Sequence, residues 1–118
     1  MSDLRTKLEE IRDELISKKR EYVELSVKKK DGTKLLSECA KEIKVAISEE
    51  VDDKGKPKYS NQQKRDNAFI EKTETDKYYV KASRAIDKLD KKLKDLEIDI
   101  EELKYTFKIE DILTRGDF

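Results

Sequence analysis

The side chains here that could do chemistry are carboxylates, ammonium groups, a few hydroxyls and one thiol; none of the 118 residues is histidine. That removes the usual general base near neutral pH, the commonest zinc ligand and any Ser-His or Cys-His nucleophile. Carboxylate pairs occur, as in Asp52-Asp53 and Glu101-Glu102, and such pairs can share acid and base roles. With 28 acidic residues in the chain, however, they arise from composition and face water. The three glycines are isolated, so no glycine-rich loop can cradle a phosphate. Cys39 has no second cysteine to bridge to and no companion for a metal. Its flanks set it on the apolar face of a helix, where a small buried thiol is expected. These residues predict a protein that is not an enzyme and that takes no cofactor and no metal.

The remaining candidates are basic. Lys54, Lys56, Lys58, Lys64 and Arg65 gather around a turn with Tyr59 among them. Such groups could anchor a protein partner, or could touch phosphates while the tyrosine stacks on a base. Lys28-Lys29-Lys30 is a second basic run, whereas Asp52, Asp53 and Asp66 dilute the turn cluster. With 28 basic and 28 acidic groups the formal net charge is zero, which gives no overall pull toward polyanions. Its distribution is bipolar: residues 1–14 and 95–118 hold 6 basic and 13 acidic groups, the stretch between them 22 and 15.

The elements that must position these groups follow from apolar spacing. Charged residues make up 47% of the chain and hydrophobic ones 35%, too polar for a thick core, so order requires a thin, periodic seam. Leu4, Leu8, Ile11, Leu15, Lys18, Tyr22, Leu25, Lys29, Gly32, Leu36, Cys39, Ile43 and Ala46 share one heptad register. This predicts a helix over about 2–50, with a break near Gly32 as the alternative, because glycine costs about 1 kcal/mol in a helix. Residues 51–60, with Gly55 and Pro57, form the reversal. Ser60 or Asn61 caps the next helix, expected over about 61–113. Its seam is Tyr79, Ala82, Ile86, Leu89, Leu93, Leu96, Ile100, Leu103 and Phe107, with an interruption at Thr73 to Asp76.

Folding the second series back on the first sets Leu4 against Phe107, Leu8 against Leu103, Ile11 against Ile100 and Gly32 against Tyr79. The predicted fold is all-α: a single-domain, long antiparallel two-helix coiled-coil hairpin. Burial is expected to be poor near the turn, which is then the mobile end. Ile98, Tyr105, Ile109 and Ile112 form a further apolar stripe, expected to be the interface of a homodimer rather than a widening of the seam. No apolar run is long enough to span a membrane and the charged N-terminus does not read as a signal peptide. A cytoplasmic location is therefore expected.

From about Ile47 to Leu113 the sequence resembles a group of small, mostly uncharacterised coiled-coil proteins of phages and prophages. The likeness lies in Asp53-Lys54-Gly55-Lys56-Pro57-Lys58-Tyr59-Ser60-Asn61, in Lys64-Arg65, in Asp76 to Tyr79, and in the heptads ending Leu103-Lys104-Tyr105-Thr106-Phe107. Where many of that group start a helix with Asp-Pro, this chain has Asp76-Lys77. The resemblance implies a setting among early phage genes for DNA replication, recombination or counter-defence.

Together these features predict a non-enzymatic module docking onto a nucleic-acid-processing protein, as an inhibitor of a host defence nuclease or as a recombination adaptor. Lys54, Lys56, Lys58, Tyr59, Lys64 and Arg65 would be its partner-binding residues. A nucleic-acid-binding accessory protein and a structural spacer are the alternatives.

Overall fold

The computed structural model describes residues 2–116. Among them are three helices, α1 (Ser2–Glu49), α2 (Gln62–Thr75) and α3 (Lys77–Arg115), and no strand beyond one isolated bridge between Val51 and Pro57 in the turn. The fold is the all-α helical hairpin that the heptads predict. Helix α1 passes through Gly32 without a break. Within it the Thr33 hydroxyl donates to the carbonyl of Lys29 at 2.9 Å, the back-bond that a mid-helix threonine makes in place of a cap.

Two compact units make up the chain. One combines α1 up to Lys28 with α3 from Leu89, and the other is Lys29–Lys88. In the first, α1 and α3 run antiparallel and bury Ile11, Leu93, Leu96 and Ile100. The seam residues are those expected, but the register is not. Lys7 meets Glu110 at 3.2 Å and Lys18 meets Asp99 at 3.7 Å, while the Tyr22 hydroxyl donates to Glu97 at 2.8 Å. These contacts lie one heptad further along α3 than a pairing of Leu8 with Leu103. A slip of one heptad returns every apolar position to the seam, so periodicity alone does not distinguish the two registers. The polar pairs do: in the observed one Lys18 reaches Asp99. The same shift carries Glu110 to the seam, where one carboxylate oxygen holds Lys7 and the other is buried without a hydrogen-bond partner.

In the Lys29–Lys88 unit, Gly32 faces Ile86 rather than Tyr79. A Cβ placed on Gly32 would lie 3.3 Å from Ile86 Cγ1, so the glycine allows a close helix approach. The turn end departs further from expectation. Instead of a poorly buried tip, Ile43, Ile47 and Ala68 form a buried cluster, with Tyr59, Phe69 and Tyr79 packed around it. Phe69 meets Tyr79 edge-on, centroids 6.4 Å apart, and Lys44 sits 5.3 Å over the Phe69 ring. Here three helices converge, and α1 turns Ile47 inward, 3% exposed, while Ala46 is exposed.

That convergence needs the interruption between α2 and α3. Asp76 alone leaves the helical conformation, at φ −69° and ψ 119°. Its backbone N–H donates to Lys72 at 2.8 Å to close α2, and its carboxylate accepts from the Tyr79 N–H at 2.8 Å to open α3. One residue serves as both caps. The cap of α2 is Asn61, whose side chain accepts from the Lys64 N–H at 2.8 Å; Ser60 lies outside.

Candidate functional site

The turn is organised by Asp52. Its Oδ1 accepts from the backbone N–H groups of Lys54 and Lys56 at 2.9 and 3.0 Å. Its own N–H donates to the Lys56 carbonyl at 2.8 Å, and its carbonyl accepts from Gly55 at 3.0 Å. Gly55 sits at φ +77°, a left-handed conformation that glycine adopts without steric cost. A short side chain with two backbone acceptances is the usual way Asp fixes a turn.

The six residues expected to bind a partner divide into two groups. Lys54, Lys56 and Lys64 are exposed, and none of the described ion pairs engages their ammonium groups. Lys58, Tyr59 and Arg65 instead hold the turn against the helices. Lys58 binds Glu50 at 3.2 Å and lies 5.6 Å over the Tyr59 ring. The hydrogen bond from Lys58 holds the Glu50 carboxyl below its ordinary 4.5, against a smaller upward push from burial, and Lys72 adds to the lowering. The same bond raises Lys58 above 10.5. Arg65 donates to the Tyr59 carbonyl and to Gln62 Oε1, both at 3.3 Å. The Tyr59 ring is half-buried on the Ile43/Ile47/Ala68 cluster, so it is a support of the turn.

A groove of about 750 Å³ opens on one flank of the same unit. Its floor is made of small or buried side chains, Cys39, Ile43, Ala46, Ala82 and Ala85, and Glu38 and Glu42 stand at its edge. The walls are Leu35 and Tyr78, 54% and 76% exposed. Small residues on both facing helices leave the space unfilled, and the large ones beside them stay in water. Cys39 is a free thiol, half-exposed on this floor rather than sealed in a core. Counting a single seam overlooked the site. The doublets Leu35-Leu36 and Tyr78-Tyr79 carry its signal, because the second apolar residue of a doublet cannot share the seam with the first.

Ile98, Tyr105, Ile109 and Ile112 are exposed on α3, Tyr105 at 72%. At heptad and near-heptad spacing they face away from Leu96, Ile100 and Leu103, so none of them widens the intramolecular seam.

Among the described residues no cluster of acidic, cysteine or histidine side chains could hold a metal, and no helix is long and apolar enough to cross a membrane. No family model, curated protein or solved structure matches the chain.

Proposed function

We propose that this protein is a non-enzymatic docking module that receives a helix of a partner protein in the groove between Leu35 and Tyr78 and pairs with a second copy through Ile98, Tyr105, Ile109 and Ile112. The supporting observation is the groove itself: two large apolar walls left in water above a floor of small side chains. An amphipathic helix laid between two helices is a common recognition mode. Burying a wall residue fully would contribute about 1.5–3 kcal/mol, and a tyrosine at such a centre is a typical anchor. Glu38 and Glu42 favour a helix with basic flanks. Lys54, Lys56 and Lys64 offer a second contact on a loop that Lys58, Tyr59 and Arg65 keep in shape.

The class of partner rests on the resemblance over about Ile47 to Leu113 alone. It is a nucleic-acid-processing protein, either a defence nuclease that the module inhibits or a recombination factor that it adapts. A double substitution, Leu35→Ser with Tyr78→Ser, tests the groove, since both side chains are exposed and the fold should be kept. Wild type should retain one DNA-metabolism or defence protein from host lysate and the variant should lose it; equal retention by both overturns the groove as the site. Light scattering at micromolar concentration should give the mass of two chains, and Ile109→Asp should give the mass of one. A single-chain mass for the wild type removes the dimer.

A further inference from the structure

We propose that the outer face of α3 within the Lys29–Lys88 unit is a separate docking surface for the phosphate backbone of duplex DNA. It carries Lys77, Lys81, Arg84 and Lys88, spaced four, three and four residues apart, which puts all four on one side of the helix. All four are exposed, and none of the described ion pairs engages them. Unlike Lys58, Lys72 and Lys18, which each meet a carboxylate, these cations have no internal charge to satisfy.

A groove of about 760 Å³ runs along this face from the corner where α2 ends. The four cations line it against one carboxylate, Glu74. The acidic residue of α3 closest in sequence, Asp87, stands three residues after Arg84 and makes no described ion pair with it. At about 1.5 Å per residue the stripe extends roughly 16 Å, the axial rise of about five base pairs of B-form DNA. Four positive charges on one side of a helix, facing a single carboxylate, complement the phosphate backbone of a duplex.

Two other anionic partners fit less well. Unpaired strands are held by stacking bases on aromatic rings, and no ring lines this groove. A membrane surface needs large apolar side chains to enter it beside the cations, and here the apolar lining is only Val80 and Ala85. The surface shares Lys81 and Ala85 with the protein-docking groove but not its walls, Leu35 and Tyr78, so the two sites can fail independently.

The test is fluorescence anisotropy of the full chain against a labelled mixed-sequence duplex over a range of salt. Wild type should bind at low salt, with log K falling against log salt at a slope of about −3 to −4, as four phosphate contacts require. Replacing Lys77, Lys81, Arg84 and Lys88 by Gln should weaken binding by more than about tenfold and flatten the slope by about 3, with helix content and melting unchanged. Leu35→Ser with Tyr78→Ser should bind DNA as wild type does. Unchanged duplex binding by the Gln variant would overturn the proposal and move the contact elsewhere. So would tighter binding of single strands, binding only to phosphatidylserine vesicles, or no duplex binding by wild type at low salt.

Discussion

Replacing Ile47 by Ala, beside a substitution of its neighbour Ala46, separates the observed packing from the one that heptad counting predicts. Along the seam of α1 the count puts Ala46 inside and Ile47 outside; the structure reverses them, with Ile47 3% exposed in the cluster with Ile43 and Ala68 and Ala46 exposed. Truncating a buried Ile to Ala costs about 2–5 kcal/mol through lost transfer energy and the cavity left behind. This cluster is thin and open at its flanks, so partial collapse should keep the cost in the lower half, about 2–3.5 kcal/mol. For a chain of this size each kcal/mol corresponds to about 4 °C in Tm, giving a drop of about 8–14 °C. Ala46→Ser should stay within about 0.5 kcal/mol of wild type. Urea melts followed by helical circular dichroism measure both. An Ile47→Ala loss below about 0.5 kcal/mol, or a greater loss from Ala46→Ser, would refute the three-helix cluster.

Tyr59→Ala should lower stability by about 1.5–2.5 kcal/mol, roughly half the cost of a fully buried aromatic, because its ring covers the same cluster; an unchanged melt would make the ring free for a partner. Glu50 gives a pH signature. Its folded pKa lies below the ordinary 4.5, so its contribution is complete above that value and is lost as pH falls through the lower folded one. Lys58, raised above 10.5, contributes fully below that value and loses its share as pH rises through the higher folded one. The stability difference between wild type and Glu50→Gln should therefore shrink on acidification below pH 4.5, and a difference that ignores pH would remove the Lys58–Glu50 contact. Leu96→Asp buries a carboxylate with no partner in the seam and should cost about 3–5 kcal/mol; a near-native melt would mean that Leu96 is not in the seam.

The positions of the seam were legible in the sequence because a two-helix hairpin has one buried face, and Leu93, Leu96 and Ile100 can reach it only at heptad spacing. Its register was not, since a slip by a whole heptad preserves every apolar match and the decision falls to pairs such as Lys18–Asp99. The interruption at Thr73 to Asp76 was visible as a run of capping residues. Its consequence was hidden: the heptad register already sets Ala68 against Ile43, but the inward place of Ile47 and of Phe69 beside them carries no periodic signal. The turn lysines were visible as charges, yet only geometry separates Lys58, bound to Glu50, from Lys54, Lys56 and Lys64. The cations of α3 carry no signal of their own in the sequence, because the outward positions of any such helix are charged. What marks them out is that all four line one groove with a single carboxylate, Glu74, a property of three-dimensional neighbours.

The protein-docking groove and the cationic face both exist because α1 and α3 close on each other and leave Leu35, Tyr78 and the outer face of α3 outside. The contact of Gly32 with Ile86 reports that closure most directly, because an ideal Cβ on Gly32 would lie 3.3 Å from Ile86 Cγ1 and 4.0 Å from Cδ1. Nuclear Overhauser spectra should therefore show cross-peaks between the Gly32 α-protons and the Ile86 δ-methyl group. Cross-peaks from Gly32 to the Tyr79 ring would restore the other register, and the absence of any cross-peak from Gly32 to α3 would mean that the two helices do not pair.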